Sequence, residues 1–309
     1  MANQLPNIAI VGNAPKDKHA LLNGILSEEE LSDLCDITLY GADGQPEMEA
    51  LADAVEDWHD GKVQGIVCLP FAASSNEIIG ICNTEEATDV VRIYVGDGVK
   101  MASVMGDVSE QEAMKTLTKE AVTARVKQVA DALKRNFFIL NPRIAVVEGS
   151  GELLVVEEEN TGVVAAAIAE LTESKVQAFG PVSADNFFAS ATYHAYDALV
   201  EMYDVQCMEN FKSSFGGEML TLLGGIDIPV VLTHRCEGTL YALFMVADMV
   251  RNRKGYSIPF ADPLPKLYKE RKEDGEKARF AVKKKGFNPA EHRRENVNYT
   301  VAAPQKAQE

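Results

Sequence analysis

An α/β protein built on a largely parallel sheet is what this sequence predicts. Short runs rich in β-branched residues recur between helical stretches: NIAIV at 7–11, ITLY at 37–40, GIVCL at 65–69, VVRIYV at 90–95, RIAVV at 143–147 and PVVLT at 229–233. Strands of this kind alternating with helices are the pattern of repeated βαβ units. Length gives the second observation: 309 residues are too many for one comfortable core and suit two domains, and a hydrophobic content of 46% is enough to fill both.

Between those strands the clearest helix begins at Ser109, where SEQE pairs a capping serine with Glu112 three residues on. The apolar positions Met114, Leu117, Ala121, Val126, Val129 and Leu133 keep a helical period almost to Asn136, so one helix of over two dozen residues is expected. Asn141-Pro142 then opens a new strand, and the region around 105–142 is the expected domain crossing. A second helix is expected over ENTGVVAAAIAELTES at 159–174. A third, TLYALFMVADMVRNRKGY at 239–256, ends on basic residues, as the helix dipole favours. From about residue 256 the prolines 259, 263 and 265 and the mixed charge of 266–287 read as a surface arm. The expected division is residues 1–108 with 238–270 as one α/β domain, 109–237 as a second, and 271–309 as a basic C-terminal arm.

The charge balance excludes one class of partner. Net charge is -17, but residues 1–250 carry 15 Lys+Arg against 39 Asp+Glu while residues 251–309 carry 15 against 8. A body this acidic repels phosphate at long range, so no nucleic acid is expected. The start, MANQLPNIAIVGN, has neither the basic region nor the apolar stretch of a signal peptide, and no window approaches the roughly 18 apolar residues of a membrane span. A cytoplasmic protein with no membrane partner is expected. The five cysteines, 35, 68, 82, 207 and 236, never fall in CxxC spacing and read as reduced, packed thiols.

Chemistry is suggested by the stretch DALVEMYDVQCMENFK at 197–212, where Asp204 and Gln206 follow directly on an apolar strand, the usual way to deliver polar groups to a cleft. Taken in order, NPRIAV at 141–146, GELLVVEEENTGVVAAAIAEL at 151–171, GPVSADNFF at 180–188, YDALVEMYDVQCMENFK at 196–212 and CEGT at 236–239 resemble the 4-hydroxythreonine-4-phosphate dehydrogenase family of vitamin B6 biosynthesis. There the segments run NPRIAV, HAGEGG, GPxPADTxF, YDAxxxMYHDQGLxPLK and DHGTA. The resemblance is specific from about 141 to 239 and faint on either side. It implies an isocitrate/isopropylmalate dehydrogenase-like fold of two α/β/α domains. It also implies a homodimer whose active site lies in the interdomain cleft and is completed by the partner, with NAD and a divalent metal as cofactors.

The same motifs imply that the chemistry has been rewritten. The family holds its metal with three histidines, and here Gly149, Asp204 and Glu237 stand at those positions, while Gln206 and Lys212 are kept. Asp204 and Glu237 are therefore the candidate metal ligands, oxygen donors that suit magnesium or manganese. Glu148, Glu152 and His234 are candidates for a third ligand, and Lys212 is the candidate catalytic residue. The family's lysine in its TGPxxKxxI segment matches Ala73, and the histidine of its TTHLPL segment falls near Met105; neither replacement can contact phosphate or move a proton. The glycine-rich turn that follows DHGT in the family is absent, and the chain runs from Gly238-Thr239 into helix.

Three readings are compatible with this pattern: a metal- and NAD-dependent oxidoreductase with carboxylate ligands, a non-catalytic paralogue that pairs with another subunit, and a protein that binds a small phosphorylated or carboxylated metabolite without turnover. Other signals are weaker. IVGNAPK has neither phosphate-loop spacing, and Gly216-Gly217 and Gly224-Gly225 read as turns. His19, His59 and His292 read as solvated, and His194 as a residue packed near the cleft.

Overall fold

A computed structural model describes residues 5–12, 34–41, 44–71, 73–82, 90–96, 99–106, 108–148, 158–189, 192–204, 206–215 and 219–257. The expected arm from 256 onward, and 271–309 within it, falls almost wholly outside them. Residues up to Ser257 group as one compact unit.

The strands are β1 (Asn7–Val11), β2 (Asp36–Tyr40), β3 (Gly65–Cys68), β4 (Val91–Val95), β5 (Lys100–Ser103), β6 (Ile144–Glu148), β7 (Ala178–Ser183), β8 (Ala198–Glu201), β9 (Leu220–Gly224) and β10 (Val230–Thr233). The helices are α1 (Glu47–His59), α2 (Ser75–Cys82), α3 (Glu110–Thr116), α4 (Lys119–Phe137), α5 (Glu158–Glu173), α6 (Ala184–Ala189), α7 (Met208–Phe215) and α8 (Thr239–Ser257). All six strands expected from β-branched runs are present. β5 and β7, whose sequences KMAS and AFGPVS carry little β signature, had no such mark.

One ten-stranded sheet runs β2-β1-β3-β10-β9-β4-β5-β8-β6-β7. Four strands at each side are mutually parallel, and every pairing across the middle, β10 with β9, β9 with β4 and β4 with β5, is antiparallel. The two parallel halves therefore point their carboxyl ends in opposite directions. On one face α4, α5 and α8 cover a continuous core that includes Ile8, Ile93, Val126, Leu133, Val200 and Val246. The other face is split. α1 and α2 cover Val11, Ile66 and Leu232, whereas α6 and α7 cover Met101, Ala145 and Leu199. The result is an α/β/α layering with two separate cores on one face.

The long helix expected from Ser109 is two helices. Ser109 Oγ accepts the Glu112 N–H at 3.3 Å and starts α3, but Leu117 is extended and Thr118 Oγ1 accepts the Ala121 N–H at 3.2 Å to start α4. A threonine that satisfies a free backbone donor competes with helix continuation, and the shared apolar period across the break hid it. α8 matches its expected span and is buried on most sides, because Gly65 lets it lie against β3: a Cβ there would collide with Val246 Cγ1. Among the described residues no helix is long and apolar enough to cross a membrane.

Candidate functional site

Polar chemistry gathers at two places on this frame. The first is the carboxyl end of β5 and β8. Side chains alternate along a strand, and Val91 and Ile93, Ala102, and Ala198 and Val200 all join the continuous core, so Arg92, Ser103 and Glu201 face the other side. Ser103 pairs with Glu201, and the β4–β5 register continued by two residues sets Arg92 opposite Ser103. Three polar side chains thus stand in a row across three adjacent strands. Asp204, just beyond β8, folds back over the row with its N–H on the Gly106 carbonyl at 3.3 Å.

Its carboxylate is closed from both sides. Arg92 Nη2 donates to Oδ2 at 2.7 Å, Ser103 Oγ donates to Oδ1, and Asp204 is only 6% exposed. Gly106, at φ +71°, makes room, since a Cβ there would stand 3.2 Å from Arg92 Nη2. Beside this pair lies Glu201, fully buried, whose Oε2 accepts the Cys207 N–H at 2.7 Å and whose Oε1 has no partner among the described residues. Burial pushes its pKa up to about 8, the Asp204 charge adds to this, and the Cys207 contacts oppose it. Glu201 is therefore a neutral acid at pH 7. Gln206 Oε1 accepts the Met202 N–H at 2.8 Å and so fixes the loop.

The second place is the carboxyl end of β10. Thr233 Oγ1 donates to the Cys68 carbonyl at 3.1 Å, and the exposed His234 meets Thr221 Oγ1 through Nε2 at 2.8 Å. Partial burial and the nearby Lys212 ammonium lower the His234 pKa, so its ring is neutral at pH 7. Lys212, Arg235, Cys236 and Glu237 are exposed there, and Gly238 and Thr239 are buried where the chain passes straight into α8.

The two candidate metal ligands belong to different places. Arg92 is level with Leu223 and Thr233 with Leu220, so the register sets Asp204 and Glu237 at opposite ends of β9 within one chain. Met105 and Gln206 lie with Asp204; His234 and Lys212 lie with Glu237. Ala73, half-buried against the α1–α2 core, follows β3 on the Glu237 side. Gly149, Glu152 and the Glu148 side chain lie outside the described residues. Among those that are described, no group of three His, Cys, Asp or Glu could hold a metal. Both Asp204 oxygens already accept hydrogen bonds, from Arg92 and from Ser103, and the guanidinium neutralises the carboxylate, so a divalent ion would have to displace one of them. These residues do not fit a divalent ion.

Arg92 and Glu201 were not singled out from the sequence. Their signal was there: a charged residue inside an otherwise apolar strand, VVRIYV or ALVE, needs a partner or loses its charge.

The family profile described as "Pyridoxal phosphate biosynthetic protein PdxA" matches residues 37–243, two thirds of the chain. The chain belongs to this family. It is 27% identical over 267 residues to the 4-hydroxythreonine-4-phosphate dehydrogenase of Bacteroides thetaiotaomicron, covering 77% of this chain and 72% of that protein. Matches to other relatives of that name span 61% and 64% of their length. Among solved structures, the 4-hydroxythreonine-4-phosphate dehydrogenase from Burkholderia phymatum superposes with a TM-score of 0.57 at 16% identity, over 80% of this chain and 99% of that one. A branched-chain phosphotransacylase from Enterococcus faecalis does so with 0.53 at 15% identity, over 80% and 100%. The family's isocitrate/isopropylmalate dehydrogenase-like fold is therefore that of this chain, and the second neighbour shows that this fold serves more than one chemistry.

Proposed function

We propose that this chain is a PdxA-family protein that has left the family's NAD- and metal-dependent oxidative decarboxylation, and that as a cytoplasmic homodimer it binds a small phosphorylated or carboxylated metabolite. One observation carries the reading: the carboxylate that stands where the family has a metal-binding histidine is buried and held by Arg92 and Ser103. A site that polarises a substrate alcohol needs a Lewis acid reachable by substrate, and Asp204 offers no room for one.

The nicotinamide cofactor meets a similar obstacle. Gly238 is buried with Leu220 Cδ2 3.3 Å from its would-be Cβ, and α8 begins at the next residue, so no turn at this point can approach a pyrophosphate. What the second place offers instead is positive charge: Lys212 and Arg235 are exposed beside a neutral His234 and the Thr221 hydroxyl. That donor set suits an anionic group. The expected division into 1–108 with 238–270 and 109–237 would place such a ligand between the two parts.

The purified protein, given NAD, 4-hydroxythreonine 4-phosphate and magnesium, manganese or zinc, is expected to show no turnover above background. NAD reduction at an ordinary enzymatic rate would overturn the reading. Asp204→His with Glu237→His is expected to leave the result unchanged, since Gly149 and the missing turn remain.

A second reading, a non-catalytic partner subunit, is favoured by Tyr241 and Phe244, 59% and 41% exposed one turn apart on α8. Light scattering that gave the mass of a single chain would count against both assemblies.

A further inference from the structure

The arrangement around Asp204 is built from three separate parts of the chain. β4 supplies the guanidinium, β5 supplies the hydroxyl, and the segment after β5 supplies a glycine whose missing side chain leaves the space that Arg92 Nη2 fills. A residual carboxylate left after the decay of a metal site would be expected to stand in water, yet Asp204 is 6% exposed and both its oxygens are engaged. We infer that the guanidinium of Arg92 replaces, inside the chain, the divalent cation that the resemblance places at this position, so that the site is a closed, metal-free ion pair. The inference rests on the proposed loss of metal-dependent chemistry but has its own readout.

The physical case is one of charge and geometry. Asp204 and Arg92 neutralise one another at 2.7 Å, and Ser103 takes the second carboxylate oxygen, so the pair makes no demand for a further cation. A planar guanidinium can hold a carboxylate with directed hydrogen bonds where a metal would use coordination. It also cannot be lost to solvent or to a chelator. Any cation seeking the Asp204 oxygens has first to displace a covalently attached competitor.

The test is a titration of the full chain with MnCl2, followed by electron paramagnetic resonance of free manganese and by thermal unfolding, in four forms: unaltered, Asp204→Asn, Arg92→Met, and Arg92→Met with Asp204→Asn. The unaltered protein and Asp204→Asn are expected to bind the same number of manganese ions. Arg92→Met, which leaves one carboxylate and no set of three donors among the described residues, is expected to gain no ion and to unfold at a lower Tm, a loss that the double variant partly recovers. Should Arg92→Met fail to fold alone, the double variant is expected to fold and to bind the same number of ions as the unaltered protein. Either a manganese ion bound by the unaltered protein and lost in Asp204→Asn, or an Arg92→Met protein with the Tm of the unaltered one, would overturn the inference. Manganese bound at Asp204 without turnover would remove this inference and leave the proposed function standing. Turnover with no ion at Asp204 would do the reverse.

Discussion

The two ends of β9 treat charge in opposite ways. At the Leu223 end, Arg92, Ser103 and Asp204 saturate one another out of water, and Glu201 answers burial by keeping its proton. At the Leu220 end, Lys212, His234, Arg235 and Glu237 stand in solvent with few internal partners. The resemblance marks both ends equally, since it implies a family histidine position at Asp204 and at Glu237. Position in a motif alone thus leaves a group's role open, whereas burial and partners decide whether it is available to a ligand.

Breaking the buried end should have the largest effect. Arg92→Met leaves Asp204 buried without its cation and is expected to cost about 3–5 kcal/mol in urea unfolding. Replacing both members by apolar residues, Arg92→Met with Asp204→Leu, is expected to recover most of that loss. A cost under about 1 kcal/mol for the single change would mean that this end is as wet as the other.

A smaller, graded effect is expected from pH. The folded pKa of Glu201 is raised to about 8 from an ordinary 4.5, so the folded state holds a proton that the unfolded state has released. The stabilising contribution is complete below about pH 4.5 and is lost as pH rises towards 8, with a slope of at most about 1.4 kcal/mol per pH unit. Glu201→Gln is expected to flatten the fall in stability between pH 5 and about 8, measured by urea unfolding at each pH. An unchanged slope would show that Glu201 is ionised and paired, and the contrast between the two ends would weaken.

The exposed end should respond least. Lys212→Ala is expected to change stability by less than about 0.5 kcal/mol, as at most surface sites. The His234 pKa, held down in part by the Lys212 charge, is expected to move upward in that variant, read by NMR of the imidazole proton. A drop in stability of several kcal/mol would instead make Lys212 part of the packed structure.

Much of the fold could be read from the chain alone, because strands such as NIAIV and GIVCL and the helices α5 and α8 have patterns that local physics dictates. The family could be read too, since ordered motifs survive changes in the residues between them. What the sequence did not settle was how distant elements share space. Thr118 broke a helix whose apolar period continues on both sides. KMAS became a strand because β4 and β8 flank it, not because its own residues prefer one. The fate of Asp204 was decided by Arg92, 112 residues away, and by a hydroxyl 101 residues away. A carboxylate reads the same in sequence whether it will bind a metal, a substrate or a guanidinium. Only the tertiary structure chooses, because charge interactions depend on distance and on exclusion of water, and neither is a property of neighbours along the chain.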